Sequence, residues 1–260
     1  MITNNFDSFL QSLNIPKPCE LNKSIFKKMF LDNGVLDATD RASLKNDIDK
    51  IRWLYTLKPS TINIASYNDQ EREYLEIAVL HIELSSPKHL KRIAHFINRS
   101  IPYPLMLLFT CGIEGQSSLA IGLADKRINQ ADKDKWVIED SIHTDWINLS
   151  NQSEAEVEFL ASFKVSNLPF KNFFIFYQAL MQRVIAINCA NHSHVFALEE
   201  VGQKKSDNRL EKLRELEKLD SQKSEIVNKL SKEKQMGRQV DMNTQVKKIN
   251  DKIAQIKDSL

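Results

Sequence analysis

The sequence predicts an α+β fold: a mixed β-sheet with helices packed on it, followed by a C-terminal helical hairpin or coiled-coil arm. Two observations predict it. Between residues 50 and 147, short apolar or alternating runs flank one segment of helical periodicity, which is the order expected for a mixed sheet with one crossover helix. After residue 203 the chain contains no aromatic residue and no proline, and its apolar residues recur at intervals of three and four.

The same change of pattern divides the chain into three predicted parts. They are an α+β domain at residues 1–150, a helical extension at 151–203 that packs on this domain, and an antiparallel helical hairpin at 204–260. A hydrophobic content of 42% is sufficient for a core. Because the last part is poor in apolar residues, the core must lie within roughly the first 200 residues.

Three short helices are predicted before the sheet, at residues 4–13, 22–32 and 38–48. Each carries apolar residues at helical spacing, which indicates one buried face. The second is expected to stop at Asn33-Gly34, because glycine and asparagine accept the left-handed conformation that ends a helix. The residues of this second helix that are predicted to be buried are Ile25, Phe26, Met29 and Phe30.

The central part of the chain reads as a sheet. Strands are predicted at residues 50–57, 61–64, 73–84, 105–111, 117–124 and, once or twice, within 135–147. Alternation is expected to place four residues of the first strand on one face, namely Ile51, Trp53, Tyr55 and Leu57. The continuous apolar run at 105–111 indicates a strand buried on both faces, followed by a hairpin turn at Gly112–Gly115. The helix predicted at 88–98 covers one face of this sheet.

Two further helices are predicted in the extension, at residues 153–163 and 169–190. The second is apolar over most of its surface, with Pro169 in its first turn, and its length of about 22 residues would just cross a bilayer. Polar and charged residues such as Lys171 and Arg183 interrupt it, so we expect a buried helix and no membrane crossing.

The arm is predicted from two apolar seams. The seam residues are Leu216, Leu219, Ile226 and Leu230, with Lys223 in one position, and then Met242, Val246, Ile249, Ile253, Ile256 and Leu260. The two seams do not join in register across residues 234–243, which contain the only glycine of the arm, Gly237. We therefore expect a bend there and an antiparallel hairpin. The alternative is one long helix that forms a homodimer.

Charge is distributed unevenly between the two halves. Residues 204–260 contain 15 Lys and Arg against 10 Asp and Glu, a net charge of +5, whereas the remainder has a net charge of −3. Four basic residues near the predicted bend are the candidate contacts to nucleic acid or to a partner: Lys229, Lys232, Lys234 and Arg238. A solvated helical surface is the simpler interpretation of the same residues.

No linear motif for catalysis or for a cofactor is present. The sequence lacks a phosphate-binding P-loop, a dinucleotide fingerprint, a nucleophile elbow and an HExxH motif, so catalytic residues stay unknown and no cofactor is predicted. The three cysteines (Cys19, Cys111 and Cys189) are far apart and form no CxxC pair, and His192 and His194 lie in a polar connector, so no metal site is predicted.

A metal-dependent nuclease of the restriction type needs a strand with an acid-x-Lys triplet, which holds Mg²⁺ and polarises water. Glu73, Glu76 and Glu83 lie in the predicted strand at 73–84, but no lysine follows any of them by two positions. A cryptic nuclease with an irregular site that includes Glu76 or Glu83 stays open as an alternative. The N-terminus has no basic lead or apolar run typical of a signal peptide, which predicts a cytoplasmic protein.

Several segments together resemble a bacterial and archaeal family, the domain-of-unknown-function family 4391. They are SIFKKMFLDNG (24–34), IRWLYTLKPSTINI (51–64), EIAVLHIEL (76–84), INRSIPYPLMLLF (97–109), KWVIEDSIHTDWI (135–147) and KEKQMGRQVDMNTQVKKI (232–249). The segments follow the order of the family and include the arm. The resemblance implies no catalytic residues, because the family has none assigned. It implies a genomic setting beside helicases and DNA methyltransferases.

These observations favour a non-catalytic accessory subunit over an enzyme. We expect an α+β domain whose helical arm docks a helicase or a DNA methyltransferase of a restriction-modification or phage-defence-like system. A cryptic metal-dependent nuclease and a non-specific DNA-binding module are the alternatives, and a homodimer through the arm is compatible with the seams.

Overall fold

The protein is described by a computed structural model that covers residues 3–33, 36–113, 116–132, 136–198 and 204–260. Its helices are α1 (Thr3–Ser12), α2 (Lys27–Asn33), α3 (Ala38–Asn46), α4 (Pro59–Ile62), α5 (Leu90–Ser100), α6 (Glu154–Ser162), α7 (Phe173–Ser193), α8 (Lys204–Leu230) and α9 (Met236–Lys257). Its strands are β1 (Glu20–Ser24), β2 (Ile48–Leu57), β3 (Tyr67–Asn68), β4 (Glu73–Tyr74), β5 (Ile77–Leu84), β6 (Leu105–Ile113), β7 (Gln116–Ile128), β8 (Trp136–His143) and β9 (Ile147–Asn148).

The chain forms two compact units, residues 1–184 and 185–260. The first is built on a seven-stranded mixed sheet in the order β1-β2-β5-β6-β7-β8, with β9 also paired to β7. Strands β5 and β6 are parallel and α5 connects them, whereas the other pairs are antiparallel. Strands β3 and β4 form a separate small sheet. The predicted α+β class is confirmed.

One face of the sheet carries an apolar core. Alternate residues of β5 and β6 point to this face, where they pack with the apolar side of α5. The residues concerned include Leu80, Ile82, Leu107, Phe109, Ile93, Phe96 and Ile97, all of which are fully buried. Helix α3 lies beside α5 on this face, and a capping box between Asp37 and Asp40 fixes its first turn.

The opposite face is also covered by helices, whereas the sequence predicted a covering helix only for one face. Tyr177 of α7 lies on this second face: its hydroxyl donates to the carbonyl of Leu105 at 2.7 Å and accepts from the Ala124 amide at 2.9 Å. Arg183 donates to the carbonyls of Ser162, Asn167 and Ala179, which ties α6 and the following turn to α7. The helices on this second face come from segments distant in sequence from the strands that they cover. The periodicity of a helix or strand shows which of its own sides is apolar, but not which face of the sheet it packs against.

Several element predictions differ from the structure near the edge of the sheet. Residues 22–24 belong to β1, which pairs with β2, and the helix begins only at Lys27. Of its apolar residues, Phe30 is buried but Phe26 and Met29 are 74% and 55% exposed, so their predicted burial is wrong. Pairing with β2 outweighs the local helical pattern there.

Three further boundaries were misplaced. Residues 59–62 form the short helix α4 with Pro59 in its first turn, so the strand predicted at 61–64 is wrong. The strand predicted at 73–84 is divided between β4 and β5. Helix α7 begins at Phe173, so Pro169 precedes it. The turn proposed at Gly112–Gly115 and the helix stop at Asn33-Gly34 fall partly outside the described residues.

Strand β2 does not follow simple alternation. Its buried positions are Ile48, Ile51, Leu54 and Leu57, because the pairing with β5 is irregular between Ile48 and Lys50 and again between Trp53 and Tyr55. Such β-bulges place an extra residue in one strand and change the direction of the side chains that follow. Trp53 and Tyr55 are therefore only partly buried.

The second unit contains α8 and α9, here called the helical pair. Leu216 and Leu219 of α8 pack with Ile253 of α9, and Ile249, Ile256 and Leu260 lie against this cluster. Lys212 donates to the carbonyl of Ser259 at 2.7 Å, so the start of α8 lies beside the end of α9 and the two helices are antiparallel. The residues that pack are those of the two predicted seams.

The connection between α8 and α9 lies earlier than the sequence indicated. Residues 231–235 link the two helices, and Gly237 is already in the first turn of α9. The Glu233 carboxylate accepts the amides of Lys234 and Gln235, both at 2.9 Å, and the Glu233 carbonyl accepts from the Gln239 side chain at 2.7 Å. These hydrogen bonds turn the chain without glycine, and the connection overlaps the bend predicted at 234–243 only at residues 234 and 235.

Within the described residues, α7 is the one helix long and apolar enough to span a membrane, and 72% of its apolar window is buried inside the protein. Most of the apolar surface of α7 is therefore covered by the rest of the fold.

Candidate functional site

A cleft of about 300 Å³ opens on the second face of the sheet, at the carboxyl ends of the parallel strands β5 and β6. Ligands commonly bind at this edge of an α/β sheet. The residues that line the cleft are Phe6 and Asp7 of α1, Asp49 and Arg52 of β2, His81, Glu83 and Leu84 of β5, Thr110, Cys111 and Gly112 of β6, and Ser117 of β7.

Two local features place the acidic and basic side chains in this cleft. In β5, Leu80, Ile82 and Leu84 belong to the core on the first face, so the intervening His81 and Glu83 point to the cleft. In β2, the bulge inserts Asp49 between Ile48, which pairs with Leu84, and Lys50, which pairs with Glu83. Asp49 therefore lies directly beside the end of β5.

A hydrogen-bonded chain crosses three strands in the floor of the cleft. Arg52 Nη2 lies 2.8 Å from His81 Nδ1, and because a guanidinium only donates, Nδ1 must be the acceptor. The other ring nitrogen then carries the proton and donates to Thr110 Oγ1 at 2.7 Å. The ring of Phe6 stacks on the imidazole at 4.2 Å between centroids. The two hydrogen bonds therefore fix the tautomer of His81, and together with the stacked ring of Phe6 they fix its orientation.

His81 is neutral in this setting. Burial, with the positive charges of Arg52 and Lys50, lowers the pKa of His81 to about 3. The approach of Nδ1 to Glu83 Oε1 at 3.8 Å is therefore not an ion pair, although the two groups lie within ion-pair distance. Since both ring nitrogens already take part in hydrogen bonds, His81 is a poor candidate for a general base.

Cys111 is not an activated nucleophile. Burial raises the pKa of its thiol, and the negative charge of Asp49 raises it further. The thiol accordingly stays protonated at neutral pH, which agrees with the absence of a cysteine–histidine motif in the sequence.

The charges in the cleft are unbalanced. Among the described lining residues, Asp7, Asp49 and Glu83 supply three carboxylates, whereas Arg52 supplies one cation because His81 is neutral. The positive charge of Lys50 also acts on His81, although Lys50 does not line the cleft. The Arg52–Glu83 contact is 3.5 Å, longer than a charge-assisted hydrogen bond of about 2.8 Å. Within the described part of the chain, Asp7 and Asp49 form no hydrogen bond or ion pair through their carboxylates.

Two buried polar atoms of the same lining have no hydrogen-bond partner among the described residues. They are Ser117 Oγ and Arg52 Nε. The Ser117 side chain is only 5% exposed, so bulk water does not satisfy it. An unsatisfied buried polar group costs about 1–3 kcal/mol, so a bound water or a ligand oxygen is the natural partner for these donors.

The described residues contain no group of three or more His, Cys, Asp or Glu side chains able to enclose a metal ion. This disfavours a zinc site in the described regions, since a zinc site needs at least three protein ligands.

The structure separates the acidic residues that the sequence singled out. Glu83 lies in the cleft, whereas Glu76 forms an ion pair with Lys58 at 3.4 Å just before β5 begins, and Glu73 lies in β4. Sequence reasoning missed Asp7, Asp49, Arg52 and Ser117. They come from three elements other than β5, and no local motif marks them.

The basic residues predicted as contacts lie around the connection of the helical pair. Lys229, Lys232, Lys234 and Arg238 are all exposed. Arg238 approaches Glu233 at 3.7 Å, so one of the four positive charges has an acidic neighbour. The structure brings the four together near one end of the pair but shows no contact among them.

The helical pair is packed more closely at one end than at the other. Its buried residues are Leu213, Leu216, Leu219 and Ile253, whereas none of residues 220–252, here called the distal half, is buried. Val227, Met236 and Val240 are 43%, 79% and 59% exposed there. A groove of about 360 Å³ runs beside Ile226 and Ile249.

The profile of a family described as Domain of unknown function (DUF4391) matches residues 13–253. The chain belongs to this family. No curated protein and no solved structure matches it. For this DUF4391 member the matched segment includes Asp49, Arg52, His81 and Glu83 of the cleft but excludes α1, which carries Asp7.

Proposed function

We propose that this DUF4391 protein is a non-catalytic accessory subunit, and that the distal half of its helical pair binds a protein partner. The observation that carries the proposal is the exposure of Val227, Met236 and Val240, beside seam residues that their own helices cover only in part. An amphipathic helix gains most of its stability from packing, so a partner helix would supply the cover that the distal half lacks.

The chemistry of the partner surface follows from the same residues. It is an apolar helical face with acidic residues at its edge, which would meet the lysines at the end of the pair. Together with the genomic setting that the resemblance implies, this favours a helicase or DNA methyltransferase of a cytoplasmic restriction-modification or defence-like system. The seam would then act as an antiparallel coiled coil that a partner extends.

Co-purification from cells that carry the native locus tests this proposal. A tagged chain with Val227→Ser, Met236→Ser and Val240→Ser is compared with the wild type and with a control, Phe26→Ser plus Met29→Ser, which removes exposed apolar side chains from the other unit. We expect the helicase or methyltransferase encoded beside the gene to be retained by the wild type and the control and lost by the triple variant. Equal retention by all three proteins contradicts the proposal.

Direct DNA binding by the connection of the helical pair is an alternative function of the same region. It requires salt-sensitive binding that Lys234→Ala plus Arg238→Ala weakens without change of sequence preference. If this double variant loses DNA and keeps the protein partner, the two roles are separate.

The nuclease alternative requires the cleft rather than the helical pair. It predicts cleavage of plasmid DNA in the presence of Mg²⁺ or Mn²⁺, and loss of that cleavage in Glu83→Gln. The convergence of Asp7, Asp49 and Glu83 on one cleft is the observation in its favour.

A further inference from the structure

The described lining of the cleft contains more negative than positive side chains. Three carboxylates face one guanidinium, and Asp7 and Asp49 have no partner within the described residues. Like charges gathered in a partly enclosed site repel one another unless a cation lies between them. The lining therefore favours a cationic ligand over a free anion.

The bulge in β2 brings two of these carboxylates to adjacent strands. Asp49 is the extra residue opposite the peptide that joins Glu83 to Leu84. Neighbouring strands lie about 4.8 Å apart, so Asp49 and Glu83 enter the same cleft from adjacent strands. Asp7 of α1 also lines the cleft.

A second, independent observation points to a ligand with oxygen atoms. Ser117 lines the cleft and is only 5% exposed. Its hydroxyl has no hydrogen-bond partner among the described residues. Arg52 Nε lines the same cleft and is also without a partner. Both donate to oxygen, so the occupant should combine a cation for the carboxylates with water or anionic oxygens for these donors.

The ligand types identify the class of ion. The cleft offers carboxylate and hydroxyl oxygens, while both nitrogens of its histidine are engaged by Arg52 and Thr110. Hard oxygen ligands suit Mg²⁺ and Mn²⁺ rather than zinc. Mg²⁺ keeps several waters and takes only one or two protein carboxylates, with further oxygens from a phosphate, so a site of this kind does not need three protein ligands. The lack of a three-ligand group among the described residues therefore does not exclude a site of this kind.

We propose that the cleft binds one hydrated divalent cation of the magnesium class between Asp49 and Glu83, with Asp7 as an outer carboxylate. Arg52 and Ser117 are placed to hold oxygen atoms that accompany the ion, such as those of a phosphate group. This site is independent of partner binding by the helical pair, because it lies wholly within residues 1–184.

Titration of the full-length protein with Mn²⁺ and Mg²⁺ tests the site. Calorimetry measures both ions, and the electron paramagnetic resonance of free Mn²⁺ gives a second count of bound ion. We expect one site per chain and at least a tenfold weaker affinity in Asp49→Asn and in Glu83→Gln, since each removes a charged ligand. Glu76→Gln is the matched control, because this carboxylate precedes the same strand and lies outside the cleft.

Three results overturn the proposal. The first is the absence of binding by either ion up to about 10 mM, which lies well beyond the dissociation constants of about 0.1–1 mM of weak oxygen-ligand sites. The second is equal weakening by Glu76→Gln. The third is preferential binding of spermidine over Mn²⁺, which would indicate an organic cation. Glu83→Gln keeps the shape of the side chain and loses only the long contact to Arg52, so it decides the matter even if Asp49→Asn fails to fold.

Discussion

Lys126 makes the stability of the α+β unit depend on pH in an unusual direction. The side chain is 1% exposed, and its ammonium donates to the carbonyls of Ile101 and Tyr103, each at 2.7 Å. Burial lowers the pKa of Lys126 to about 7. In the unfolded chain a lysine has a pKa of about 10.4, so between these values the unfolded state binds more protons than the folded state. Stability must therefore rise with pH across this window.

The size of the effect follows from the two pKa values. Raising the pH from 7 to 9 should stabilise the folded protein by about 2 kcal/mol through this residue, since each unit of difference corresponds to about 1.4 kcal/mol and the group is half protonated at pH 7. In Lys126→Met this gain should vanish. Lys28→Met, which alters an exposed lysine, should keep it.

Urea unfolding at pH 7 and pH 9, followed by tryptophan fluorescence, measures the free energy of unfolding. The three tryptophans (Trp53, Trp136 and Trp146) all lie within residues 1–184, so the signal reports on the α+β unit. Cys19 and Cys111, whose pKa values burial raises, act near pH 9 in the opposite direction, but they cancel when variants are compared at the same pH. An equal pH dependence in the wild type and Lys126→Met would refute the reasoning.

Three further predictions concern other residues. His81, whose pKa burial lowers to about 3, should destabilise the fold as the pH falls below about 6.5, by about 2 kcal/mol at pH 5, and His81→Asn should remove that loss in acid unfolding curves. Leu216→Ala truncates a side chain that is 2% exposed in the helical pair, and should lower the free energy of unfolding of the pair by about 2–4 kcal/mol. Urea unfolding followed by far-UV circular dichroism measures this loss. Val227→Ala, at an exposed site, should lower the free energy of unfolding far less. Gly237→Ala should stabilise α9 by up to about 1 kcal/mol in thermal unfolding. The reason is that Gly237 lies within α9, where an added methyl group meets no atom within 4 Å. Destabilisation would contradict this prediction and would indicate that the chain turns at Gly237.

Elements that depend on their own residues could be predicted from the sequence. Strand β6 was visible because a continuous apolar run suits a strand buried on both faces, and α5 because its apolar residues recur at helical spacing. The seams of α8 and α9 were visible for the same reason. In contrast, β1 exists because it pairs with β2, and residues 22–24 carry no apolar alternation of their own.

The cleft was largely hidden in the sequence. Glu83 could be noticed because it lies on a recognisable strand, but its neighbours are set by tertiary structure. Asp49 faces the cleft because of a bulge, which changes the direction of side chains without a residue signature that a single sequence reveals. Asp7 reaches the cleft because α1 folds back from the start of the chain, and no spacing relates it to residues 49 and 83.

Helix α1 and the strands line the cleft from different parts of the chain. Phe6 lies flat on the imidazole from above, while strands supply everything beneath it. The opening segment that contributes Phe6 precedes residue 13, where the family match begins. Substitutions at Phe6 or Asp7 would therefore change the lining of the cleft from positions outside the family match.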